Sequence, residues 1–140
     1  MRDIQKIVRE VLEDGHLMSL GTVDHEGVWV ADVVYVFDED LNIYWLSRSD
    51  ARHSLAIVKH PQVAGTIAVS RPHEEEIGVQ FSGDAEKLEG DFLDLARAHC
   101  EKRGKLPPLE EGEILKERGQ SWYRLELIYE PLFDYEKKVV

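Results

Sequence analysis

VWVADVVYVFDEDLNIYWLSRSDARHSLAIVKHP, residues 28–61, holds two strands, a turn and a short helix within thirty-four positions. Val28 to Phe37 is β-branched and aromatic, which reads as a strand, and a mostly buried one. Asp38 to Asn42 is a turn, and Ile43 to Ser47 is the next strand. Ser49 or Asp50 can then cap a helix from about Ala51 to Lys59, with Leu55, Ala56 and Val58 on its apolar side. Pro61 stops that helix, because the residue before a proline is pushed out of the helical region.

Outward from this segment the chain keeps hairpin-length spacing. On its N-terminal side, Ile4, Ile7, Val8, Val11 and Leu12 recur at helical spacing, with Asp3 as cap and Gly15 as terminator. Leu17 to Asp24 reads as a strand and Asp24 to Gly27 as a tight turn. On the C-terminal side, Gln62 to Val69 reads as a strand and Ser70 to Glu76 as a solvated polar loop. From Ile77 onward Ile77, Val79 and Phe81 alternate with Gly78, Gln80 and Ser82, a strand with one face exposed or lining a site. Asp91 to Gly104 reads as a helix with Phe92, Leu93, Ala96 and Cys100 near one face. A charged excursion with two prolines precedes a last long strand, Ser121 to Lys137, where Tyr123, Leu125, Leu127 and Tyr129 share a face and Pro131 marks an edge or bulge. Six strands with few helices predict a mainly β fold, a six-stranded antiparallel barrel with helices packed outside, as a single domain over residues 1–140.

Composition narrows the function. A chain of 140 residues that is 43% hydrophobic fits one domain with a proper core. Its net charge of -11 argues against nucleic acid or an anionic membrane as partner, since phosphate backbones need a basic face. A local pocket can still be positive on an acidic protein. No apolar run approaches a membrane span, and the acidic, amphipathic N-terminus is unlike a signal peptide, so a cytoplasmic protein is expected. The single cysteine, Cys100, excludes an internal disulfide and reads as an inert core thiol, and the six histidines lack ligand spacing, so no metal is expected.

The succession LMSLGTVDHEG, VWVADVVYVFDEDLNIYWLS, ARHSLAIVKHP, QVAGTIAV and GVQFSGDAEKLEG resembles the FMN-binding split-barrel family related to pyridoxamine 5′-phosphate oxidase, and within it a small uncharacterised bacterial subgroup. The resemblance covers about Leu17 to Gly90. It implies a homodimer with FMN at the interface, and the last strand, apolar or aromatic on both sides with Trp122 and Ile128 opposite the Tyr123 face, would expose an apolar surface in a monomer. It also implies that the flavin phosphate is held by a hydroxyl ending the third strand, here Ser47, and by basic residues opening the next helix, here Arg52 and His53. Lysine is usual where His53 stands, and the pyridoxamine oxidase has an arginine and a lysine on its second strand where this chain has neither. The C-terminal substrate-binding signature is missing too, so oxidation of vitamin B6 is not expected. The family often lets backbone approach the ring where Gly21 and Thr22 stand.

The residues support a phosphate site on physical grounds as well. A helix start presents free N–H groups and a positive dipole end. Arg52 can grip phosphate with two N–H groups, Ser47 and Ser49 can donate from their hydroxyls, and His53, if bound as the cation, has a raised pKa. Asp50 reads as the helix cap. The bland alternative is that these basic groups face solvent or pair with some of the 28 acidic residues. Gln80 reads either as a partner for a flavin ring or as a solvated polar residue, and Trp29, Tyr35 and Trp45 either as ring-lining or as core. No catalytic acid or base can be assembled from sequence order. The leading expectation is an FMN-binding, flavin-dependent oxidoreductase acting on a small molecule. The alternatives are a split-barrel module that binds haem, a deazaflavin or another small ligand without turnover, and a cofactor-free structural dimer.

Overall fold

The computed structural model describes residues 3–69, 77–90, 92–104 and 119–126. Helix α1 (Ile4–Asp14) is followed by strands β1 (Leu17–Asp24), β2 (Gly27–Phe37) and β3 (Ile43–Arg48). Helix α2 (Arg52–Lys59), strands β4 (Gln62–Val69) and β5 (Ile77–Leu88), helix α3 (Leu93–Lys102) and strand β6 (Gln120–Leu125) complete the order. The strands close into an antiparallel barrel in the order β1-β2-β3-β6-β5-β4. The expected fold class and all six strands are thus present. The loop at 70–76, the excursion at 105–118, and Leu127, Ile128, Tyr129 and Pro131 lie outside the described residues.

Alternation builds the barrel, since successive strand residues face opposite sides. Met18, Leu20 and Thr22 of β1 point inward, as do Val63 and Ile67 of β4 and Val79 and Phe81 of β5. Tyr35, Trp45 and Tyr123 are register partners across β2, β3 and β6 and fill one end of the same core. Helix α1 closes that core with Ile7, Val8, Val11 and Leu12, the face its periodicity defines. Its Asp3 side chain accepts the N–H of Gln5 at 3.0 Å, as a cap should. The Tyr35 hydroxyl donates to the Leu12 carbonyl at 2.8 Å, and a Cβ at Gly15 would lie 2.5 Å from that hydroxyl. Glycine is therefore needed there for close approach rather than for a turn.

Four expectations change. The first half of β2 is not buried: Val28, Trp29 and Val30 are exposed, because this part of the hairpin carries two apolar faces and the barrel interior takes only one. Helix α2 buries Ile57 in the core together with Ser54 and Ala56, two small residues that let it pack closely against β1, and leaves Leu55 and Val58 in solvent. Helix α3 buries Ala96 and His99 rather than Phe92, which is exposed, and Cys100 is only half-buried. Trp122, expected to contribute to an apolar surface of the last strand, is fully buried in a second cluster with Val36 and Ala96 under α3.

Candidate functional site

The junction of β3 and α2 gathers polar groups from three elements. Ser47, the inward-facing residue near the end of β3, is buried, and its Oγ lies 2.9 Å from His53 Nε2. Burial holds the His53 pKa below the usual value, so the imidazole is neutral at neutral pH. Two residues further on, the Ser49 hydroxyl is 2.8 Å from the Ser121 hydroxyl of β6, and its N–H donates to the Gly119 carbonyl. Ser49 thus ties the turn to β6. Asp50 does not cap α2: its carboxylate pairs with Arg48 at 2.7 Å, and the residue at the cap, Ala51, has no side-chain acceptor to offer. Helix α2 therefore begins without a side-chain cap beside the Ser47–His53 pair.

Arg52 faces the β1–β2 turn. Its Nε and Nη2 donate to the two carboxylate oxygens of Asp24 at 2.8 and 3.1 Å, and Nη2 lies 3.7 Å from Glu26. The guanidinium carbon sits 4.3 Å from the centre of the Trp29 ring, a cation–π contact. Asp24 is set for this role, since its Oδ1 also accepts the Glu26 N–H at 2.9 Å. The Arg52 side chain holds the Asp24 pKa down to about 2, against 3.8 for a free carboxyl. The sign of the linkage follows. The pair stabilises the fold in full above pH 3.8, and its contribution is lost as pH falls toward about 2, where the folded carboxylate also takes its proton. In urea melts, wild type should exceed Asp24→Asn in stability at pH 6, and the difference should shrink steadily as pH falls from about 4 to about 2. A difference that stays constant over that range would reject this linkage.

A groove of about 520 Å³ lies on the outer face of β1, β4 and β5. Two rungs of the sheet make its floor. Val30, Gly21, Ala64 and Ser82 are register neighbours on one, and Ser19, Thr66 and Gln80 on the next. Partners across an antiparallel pair share a face, so mostly small groups line the floor, and Asp32, the register partner of Ser19, accepts its hydroxyl at 2.6 Å on the second rung. A Cβ at Gly21 would come within 3.2 Å of the Ala64 carbonyl, a tight contact that favours glycine at this position. Asp24 stands three residues beyond Gly21 on β1, about 10 Å at the strand rise and on the opposite side of the pleat, so the arginine corner lies past the end of the groove and lines no part of it.

Gln80 thus lies in the groove, and Ser47, Arg52 and His53 lie at the helix start. The Thr22 side chain is inside the barrel, where Oγ1 has no hydrogen-bond partner among the described residues, so only its backbone is at the surface of the sheet. Tyr35 and Trp45 are core, whereas Trp29 is the platform under Arg52. Asp24, twenty-eight residues from Arg52 in sequence, was not singled out; its place in an Asp-His-Glu-Gly turn and the excess of acidic residues are the available signals.

The barrel and the helix-start corner define a split barrel of the type found in pyridoxamine 5′-phosphate oxidase-like proteins. A candidate pyridoxamine 5′-phosphate oxidase from Listeria innocua superposes with a TM-score of 0.71 at 14% identity, over 91% of this chain and 95% of that one. HutZ, the haem storage protein from Vibrio cholerae, superposes with a TM-score of 0.68 at 19% identity, over 93% of each. No family model matches the chain. A UPF0306 protein of Photorhabdus laumondii is 36% identical over 100 residues, 70% of each chain. The chain belongs to the UPF0306 family.

Proposed function

We propose that this chain is a homodimeric, cytoplasmic FMN-binding protein in which the flavin performs redox chemistry on a small molecule. The observation that carries this reading is the uncapped start of α2, where the Ser47 hydroxyl meets the His53 imidazole and Arg52 opens the helix, on a barrel whose β1 also carries a groove of small residues. This donor set suits a phosphate: Ser47 and His53 donate, first-turn N–H groups point outward, and Arg52 supplies charge. The small floor of Ser19, Gly21 and Ala64 suits a planar ring, and the Gln80 amide offers a donor and an acceptor to its edge. Bound FMN supplies hydride and single-electron transfer. The chain's own part is to hold the anion, orient the ring and keep water from it. The second strand, lacking arginine and lysine, does not favour a B6 phosphate as substrate.

A second copy is the natural cover for the groove. Val23, Val28 and Val30 are exposed on the outer face of the β1–β2 hairpin, next to the groove, and Leu55 and Val58 are exposed on α2. Val23 and Val28 are register partners with Val30 two residues on, and an exposed apolar patch of this kind suits an interface.

A second reading, a split-barrel binder of haem or another small ligand without turnover, is favoured by one observation: the fork of Arg52 already holds the Asp24 carboxylate. Gel filtration with light scattering and absorbance, after incubation with FMN, riboflavin or haem, separates the readings. The expected result is a mass near twice 16.1 kDa with co-eluting FMN bands. A Soret band retained instead of flavin supports the second reading. A protein that retains neither supports a structural dimer, and a mass near 16.1 kDa rejects the dimer.

A further inference from the structure

An arginine fork grips a carboxylate and a phosphate with the same parallel N–H groups. In Arg52 one such edge, Nε with Nη2, is already closed on Asp24. The Trp29 ring covers one face of the guanidinium, so an anion must approach at an edge. The occupant is preorganised rather than incidental. Asp24 is held by the hairpin turn through the Glu26 N–H, and its side chain is only 16% exposed, against 29% for Arg52. Among the described residues, the guanidinium of Arg52 faces two carboxylates, Asp24 and Glu26, with the exposed His25 3.7 Å from Glu26 and His53 neutral. An incoming phosphate therefore meets net negative charge until a carboxylate moves away.

We propose that Asp24 is an internal competitor for the anion corner, occupying the Arg52 fork and setting how tightly a phosphate-bearing ligand is held. The inference rests on the phosphate reading of Ser47, Arg52 and His53 and adds the residue that determines affinity there. Asp24 makes this an attenuated site: only a ligand that also binds through its ring in the groove opens the pair, whereas free phosphate does not. The corner then discriminates against the abundant small anions that share its chemistry.

The test is titration of wild type and Asp24→Asn with FMN, riboflavin and inorganic phosphate. Asparagine keeps an oxygen for the Glu26 N–H and removes the charge. FMN should bind the variant about tenfold more tightly, the scale of one charge-assisted contact no longer displaced. Riboflavin should bind both proteins alike, and inorganic phosphate should begin to compete with FMN only in the variant. Asp24→Ser, which also retains an acceptor for the turn, should repeat the gain and guards against a folding artefact of the first variant. If wild type binds no flavin, appearance of FMN binding in the variant supports the proposal, and its continued absence overturns it. FMN preferred over riboflavin in wild type but bound equally or more weakly by both variants also overturns it, making Asp24 a positioning residue for Arg52. FMN and riboflavin bound equally by every form would instead reject the phosphate reading.

Discussion

Trp45→Ala should remove a large share of the stability of this domain. Trp45 is fully buried on β3, paired in register with Tyr35 on one side and Tyr123 on the other, and its ring stacks on Tyr123 with centroids 5.9 Å apart. Truncation leaves a hole between two aromatic residues held by strands of a closed barrel, where collapse is least able to fill it. A loss of about 3–5 kcal/mol is expected, against a total of roughly 5–15 kcal/mol for a domain of this kind. Trp45→Phe makes the contrast. The Trp45 Nε1 has no hydrogen-bond partner among the described residues, so phenylalanine keeps most of the apolar contact and removes a buried unpaired donor. Its cost should stay below about 1.5 kcal/mol, the range of well-tolerated apolar swaps. Urea melts of the three proteins check both figures. Equal losses in the two variants would mean that the indole N–H has a partner that matters and that volume is not what Trp45 supplies.

The aromatic row shows what was legible in the sequence. Tyr35 and Trp45 stand on strands whose alternation and β-branched content are strong local signals, and β1 and β4 have the bounds that their composition predicts. Local pattern also locates the start of α2, because Pro61 and the polar run before Ala51 are close in sequence. It fails where a neighbour distant in sequence decides the outcome. Leu55 and Val58 look like the buried side of α2, yet close packing on β1 selects the smaller Ser54 and Ala56. Val28 and Val30 look like core, but the barrel has already filled its interior from the same strand with Val33 and Tyr35. Trp122 alternates out of the barrel as expected and is then covered by α3, whose docking no strand pattern encodes. The Asp24–Arg52 pair is the same failure at the site: periodicity identifies the turn and the helix, and only the closed barrel brings them together.

Arg52→Ala should weaken FMN by roughly ten- to a hundredfold, the range for losing a hydrogen-bonded charge from a phosphate. The upper part of that range is expected because the substitution leaves Asp24 and Glu26 beside the phosphate with no cation between them. Arg52→Lys should recover only part of the loss. Lysine keeps the charge, but it cannot present two parallel N–H groups or stack flat on Trp29. Riboflavin lacks the phosphate, so its affinity should be low in wild type and nearly the same in both variants. Adding Asp24→Asn to Arg52→Ala should restore some FMN affinity by removing one of the two stranded charges, although it creates no new donor. His53 sets the pH response: its neutral imidazole must gain a proton to act as a cation, so FMN binding should take up protons and weaken as pH rises. Fluorescence titrations of both flavins at pH 6 and 8, with circular dichroism to confirm folding, read all of these effects. Equal loss of FMN and riboflavin in Arg52→Ala would place Arg52 in the support of the β1–β2 hairpin through Asp24 and Trp29, and the phosphate would have to be held elsewhere.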